Sequence, residues 1–137
     1  MGRIVIPGRP QSRPDTSKGM EYKEQIQRLM AEQLGGILLF PEAMLTLSAT
    51  LYYSVPDGAP DDLPSMPRRW PEFSIPRPDH AMCIILSALK GSLYSSSEQV
   101  SPMSVNRIVQ PGHLLEATWG YDCRRGLAVI EYGPATH

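Results

Sequence analysis

Seven prolines fall between residues 56 and 78, interleaved with Asp57, Asp61 and Asp62, and no other stretch limits the fold as strongly. Proline lacks a backbone donor and its ring obstructs the preceding helical turn, so the segment sustains neither a helix nor a central strand. It reads as a long loop, and long loops inside a compact domain are commonly functional. The regular elements must be built from the two flanking halves.

Before the loop, Arg3-Ile4-Val5-Ile6 is a short β-rich run stopped by Pro7-Gly8, and positions 8–19 read as irregular. From Met20 onward, Tyr22, Ile26, Leu29, Met30 and Leu34 recur at helical spacing, and Gly35-Gly36 supplies a stop. Between 44 and 55, Leu45, Leu47, Ala49, Leu51 and Tyr53 alternate with Thr46, Ser48, Thr50 and Tyr52, the pattern of a half-buried strand.

After the loop, a helix is predicted from about His80 to Lys90, with Asp79 as its N-cap, Gly91 as its stop, and Met82, Ile85, Leu86 and Leu89 as its buried stripe. Residues 99–109 and 113–121 read as strands separated by Gln110-Pro111-Gly112, and Pro102 makes the first an edge strand or one that begins late. Residues 121–126 have the look of a hairpin turn before a last strand, 127–132. The expectation is one α+β domain spanning 1–137, in the order β-α-β-α-β-β-β, with a four- to five-stranded mixed sheet and two helices.

Thirteen bases against fourteen acids leave a net charge of −1, without the global basic excess of a dedicated duplex binder. The bases do cluster locally, in Arg3, Arg9, Arg13 and Lys18, in Arg68, Arg69 and Arg77, and in Arg107, Arg124 and Arg125. Cys83 and Cys123 have no metal-ligand spacing and read as small buried hydrophobes. No apolar run approaches the ~20 residues that span a bilayer, so no membrane role is expected, and the cytoplasm is the expected location.

Among individual residues, Trp70 stands out because Met66-Pro67-Arg68-Arg69-Trp70-Pro71 joins two cations to an aromatic ring on the long loop. That pairing suits a contact with DNA or with a protein. His80, His113 and His137 show no metal or acid-base spacing. Ser95-Ser96-Ser97 lacks a partnering His and Asp pattern and reads as a polar loop.

The most specific block is Arg77-Pro78-Asp79, continuing through Leu86-Ser87-Ala88-Leu89-Lys90-Gly91-Ser92-Leu93-Tyr94 to Gln99-Val100. Together with Pro7-Gly8-Arg9-Pro10-Gln11-Ser12-Arg13-Pro14 and the helix opening Glu21-Tyr22-Lys23-Glu24, it resembles the RusA-type Holliday junction resolvases. These are small homodimeric endonucleases common in phages and prophages, and the resemblance spans nearly the whole chain. It implies a RusA-like fold, a homodimer and branched DNA as ligand, in the host cytoplasm if the chain is phage-encoded.

The family's chemistry is phosphodiester hydrolysis assisted by Mg²⁺ held on clustered aspartates. By position, its first aspartate is present as Asp79, but the second falls at Ala81, the following asparagine at Met82 and the lysine one turn on at Ile85. The aspartate of its Asp-Ala-Leu run falls at Ser87, and its paired aspartates fall at Ser96 and Ser97, with Glu98 as an added acid.

A hard cation needs anionic oxygen ligands, and most have become Ala, Met or Ser. The resemblance therefore implies a catalytically degenerate member with no cofactor. It would bind a protein partner or branched DNA through Arg9, Arg13, Arg68, Arg69, Trp70 and Arg77, in a phage anti-defence or recombination role. The alternative is a divergent active junction endonuclease in which Asp79 and Glu98 are the residual catalytic residues and hold Mg²⁺.

Overall fold

A computed structural model of the chain describes residues 2–55 and 78–135, and at 78 and 79 the backbone alone. Its elements are β1 (Gly2–Pro7), α1 (Ser17–Leu34), β2 (Leu45–Val55), α2 (Pro78–Leu89), β3 (Val100–Pro111), α3 (Gly112–Trp119) and β4 (Gly126–Pro134), an α+β arrangement. Short 3₁₀ turns occupy Ser97–Gln99 and Tyr121–Cys123. The strands form one mixed sheet in the order β1-β4-β2-β3, in which β2 runs parallel to β3 and every other pair is antiparallel.

Strand period decides which face is core. Leu45, Leu47, Ala49, Leu51 and Tyr53 are buried on one face of β2, beside Ile4 and Ile6 of β1 and Ala128 and Ile130 of β4. Onto that face α1 brings Tyr22, Ile26 and Met30, and α2 brings Ala81, Met82, Ile84, Ile85, Ala88 and Leu89. The opposite face holds a smaller cluster of Leu115, Cys123, Leu127 and Val129, which α3 covers with help from Trp119.

The Gly35 stop forms as read. Gly35 adopts the left-handed conformation at φ 59°, and its N–H donates to the Ala31 carbonyl. Pro102 does lie on an edge strand, since β3 ends the sheet. Helix α2 begins earlier than expected, at Pro78, whose missing N–H costs nothing in a first turn. Asp79 accordingly sits inside the helix and not at its flanking cap.

Residues 113–121 are not a strand. Residues 112–119 form α3 instead, a helix that lays Leu115 and, one turn on, Trp119 against the second sheet face. That makes three helices where two were expected. The 121–126 segment is consequently no hairpin turn, but a 3₁₀ turn carrying the chain from α3 into β4. Strand β4 inserts between β1 and β2, so it neither extends the sheet edge nor lies over a cleft. Cys83 is exposed and not buried as expected, because with Ser87 it lies on the side of α2 opposite the buried stripe, whereas Cys123 is buried.

The start of β3 is held by Gln99, which is 6 % exposed and the one buried amide or charged side chain among the described residues. Its Oε1 accepts from the N–H groups of Ser95 and Ser96, each at 2.9 Å, and from Ser95 Oγ at 2.7 Å. Its Nε2 donates to the carbonyls of Phe40 and Ala43, both at 2.8 Å. Tyr94, also buried, donates its hydroxyl to the Leu86 carbonyl at 2.5 Å, tying the same turn to the end of α2.

Replacing Gln99 by leucine leaves four backbone groups without partners, and we expect a loss on the order of 3 kcal/mol in urea unfolding, against about 1 kcal/mol for Tyr94→Phe. A Gln99→Leu protein as stable as wild type would show that the latch carries no stability.

Candidate functional site

Two regions hold the residues that carry chemistry. The first is α2 with the turn that follows it. Ala81, Met82 and Ile85 are each 0 % exposed and belong to the main core, so this face of the helix meets α1 and the sheet, not solvent. Ser87 points outward, and Ser96 caps the 3₁₀ turn, its Oγ accepting from Glu98 N–H at 3.4 Å. Ser97 and Glu98 are exposed. Ser95 Oγ lies 2.6 Å from the Pro41 carbonyl as well as against Gln99, which makes these serines loop fasteners.

The Asp79 side chain lies outside the described residues, as do Asp61, Asp62, Arg68, Arg69, Trp70, Arg77 and His137. Among the described residues no group of three His, Cys, Asp or Glu side chains is placed to hold a metal ion. Among the described residues Ala81, Met82 and Ile85 lie in a cluster of hydrophobic side chains, which does not fit Mg²⁺, a cation that demands oxygen ligands.

The second region is the loop before α1. Here the structure brings Arg9 and Arg13 together with Lys18, lining a cavity of about 310 Å³ with Gln11, Ser12 and Thr16. Local chemistry builds it. Thr16 is the helix N-cap, its Oγ accepting from Gly19 N–H at 3.1 Å and donating to the Arg13 carbonyl at 2.9 Å. A Cβ on Gly19 would collide with that same carbonyl, so glycine lets the loop lie directly on the first turn.

The loop is also tied to the body. Gly8 N–H donates to the Gly126 carbonyl at 3.0 Å, Gln25 Nε2 to the Pro7 carbonyl at 2.7 Å, and Gln11 Nε2 to the Arg9 carbonyl at 3.0 Å.

Three cations thus surround the amino end of an eighteen-residue helix whose first turn contains no acid. The helix dipole adds positive potential there. Asp15, the loop's carboxylate, is exposed and does not line the cavity. Of this site, Thr16 escaped the sequence reading, and Gln11 and Ser12 entered it only as part of the loop that carries the resemblance. The readable signal was Thr16 followed three residues later by Gly19, a cap ahead of the first periodic residue.

Arg9 reaches inward, its guanidinium 5.0 Å from the centre of the Tyr53 ring, and partial burial lowers its pKa. Among the described residues the hydroxyls of Tyr53 and Tyr22 are buried with no hydrogen-bond partner. Burial pushes Tyr53 up to about 12 against the opposing pull of Arg9 and Arg107, and drives Tyr22 higher still with help from Tyr53. Tyr94 is likewise raised by burial to about 12. Two further aromatics pack on the second sheet face: Tyr52 meets Trp119 at 6.1 Å, and Arg3 lies 5.4 Å over the Trp119 ring.

A further open groove of about 510 Å³ lies on the second sheet face near Arg3, Ser48, Ser104, Glu131 and Tyr132. Its mixed charge suits no phosphate. No protein-family model matches the chain, and no curated protein matches it either.

Two outcomes are expected. Ala81→Asp places a carboxylate in the core, so its melting temperature should fall, with a loss of about 3 kcal/mol or more, and Mg²⁺ should not restore it. Rescue by Mg²⁺ would show that this face opens to a metal.

The tyrosines set an alkaline limit. Their folded pKa values lie above the unfolded value near 10, so the stabilisation is complete below about pH 10 and is lost as pH rises toward 12. In a variant with Tyr52, Tyr121 and Tyr132, none of them buried, replaced by phenylalanine, phenolate absorbance and far-ultraviolet dichroism should change together in that window. Phenolate appearing at pH 10 in that variant while it is fully folded would contradict the burial.

Proposed function

We propose that the protein is a RusA-like, non-cleaving binder of the DNA phosphate backbone, with branched DNA as its ligand, acting as a homodimer in the cytoplasm. The reading is carried by one observation: Ala81, Met82 and Ile85, at the positions of the family's acidic, amide and lysine groups, are all fully buried in the core. A metal-dependent hydrolysis needs solvent, ligands and substrate at that face, and packing has replaced them. The second region supports binding without cutting, since Arg9, Arg13 and Lys18 present three charges around one cavity at a helix amino end. Phosphate contacts of this kind position a nucleic acid without reading its sequence.

A second reading is a protein partner. It is favoured by Ile37, Leu39 and Met44, which are 67 %, 41 % and 39 % exposed between α1 and β2, and by the near-neutral net charge. Exposed apolar side chains in one connecting segment suit a protein contact.

Binding to a synthetic four-way junction, followed by fluorescence anisotropy across a salt series, separates the readings. Arg13→Ala and Lys18→Ala should each weaken binding irrespective of sequence and lower the log–log salt slope by about 1. No strand should be cut in Mg²⁺ or Mn²⁺. Cutting that disappears in Asp79→Ala would establish the divergent nuclease instead, and the absence of junction binding would favour the protein partner.

A further inference from the structure

We infer that β3 is the seam of the dimer: a second copy of this chain adds its own β3 antiparallel to this edge, with Asn106 on the two-fold axis. The inference rests on the homodimer reading above and assigns it to one edge of the sheet.

Strand β3 pairs with β2 along its length and ends the sheet among the described residues. No residue of β3 is buried. An edge strand offers unpaired backbone donors and acceptors, and monomeric proteins blunt such edges with charge, shortness or proline. The opposite edge is blunted in this way, because β1 is six residues long and carries Arg3 and Pro7. Strand β3 is twice as long, with twelve residues, and Arg107 is its single charged side chain. Its prolines, Pro102 and Pro111, leave 103–110 uninterrupted.

The register follows from symmetry. In antiparallel self-pairing about a two-fold perpendicular to the sheet, opposed residues share a face, so with a side-chain period of two the axis must pass through a residue. The proline-free run 103–110 is centred between Asn106 and Arg107. An axis at Arg107 would set two guanidinium groups directly opposite each other, which is unfavourable. An axis at Val105 would bring Pro102 opposite Ile108 and shorten the paired run.

Asn106 remains, and two facing amides can hydrogen-bond to each other. Met103, which is 42 % exposed, then lies opposite the partner's Val109, and Val105 lies opposite the partner's Arg107, whose aliphatic stem can cover it. Val105 and Val109 already pack against the helix-covered core, so pairing would carry that core across the seam.

Two measurements on the full chain test this. In analytical ultracentrifugation the wild type should sediment as a dimer. Asn106→Lys, which opposes two ammonium groups at an exposed position, should weaken that dimer roughly tenfold or more with unchanged circular dichroism. In a Cys83→Ser background, Asn106→Cys should oxidise to a covalent dimer, whereas Glu24→Cys on α1 should not.

A monomeric wild type would overturn both the homodimer reading and the seam. A wild-type dimer that persists in Asn106→Lys, or that fails to cross-link through Asn106→Cys, would overturn the seam and leave the homodimer standing.

Discussion

The parallel pairing of β3 with β2 is the constraint on which the rest of the molecule depends. Parallel neighbours cannot be joined by a tight turn, so the chain must leave the end of β2, cross over the sheet and re-enter at the beginning of β3. The crossing carries α2 onto the helix side of the sheet beside α1, and it sets which stripe of α2 is buried. Gln99 secures the return, because its five hydrogen bonds hold the turn before β3 to the segment before β2. Satisfying every polar atom of a buried amide defines a position more narrowly than apolar packing does.

That architecture holds the end of α2 and the turn after it through the chain's own groups. Residues that close the scaffold, Tyr94, Gly91 and Gln99, make contacts that are independent of any metal: a hydroxyl to the α2 end, a turn, and the amide latch. Residues at 81, 82 and 85 face the core directly, so apolar side chains there increase burial instead of opening a gap. Polar groups on this face would have to be solvated or paired to be tolerated. Ala81, Met82 and Ile85 therefore favour a packed fold.

Strong periodicity was readable residue by residue. The alternation of β2, the stripe of α1 and the Gly35 stop are local patterns backed by burial on one face, and each formed at nearly the expected position. The segment 113–121 was not readable, because two leucines, a tryptophan and short polar residues fit either period. What decided it was the uncovered second face of the sheet, where Leu115 and Trp119 pack on Val5, Tyr52, Leu127 and Val129. Cys83 failed for a related reason: apolar neighbours in sequence do not show which side of a short helix is turned outward. The basic site was half legible, since Arg9, Arg13 and Lys18 were visible as a cluster with Arg3, but the convergence of those three on one cavity needed the Thr16 cap and the close approach at Gly19.

The chain's residues alone determined the α+β class, the break imposed by seven prolines, the edge position that Pro102 allows and the presence of a single acid, Asp79, in the α2 segment. These follow from backbone chemistry and charge, which act locally. Tertiary structure decided that β4 lies inside the sheet, that 112–119 is helical, and that Ala81, Met82 and Ile85 of α2 are buried while three cations converge at the start of α1. Such outcomes depend on which surfaces meet, and meeting surfaces are set by long-range pairing of strands far apart in the chain.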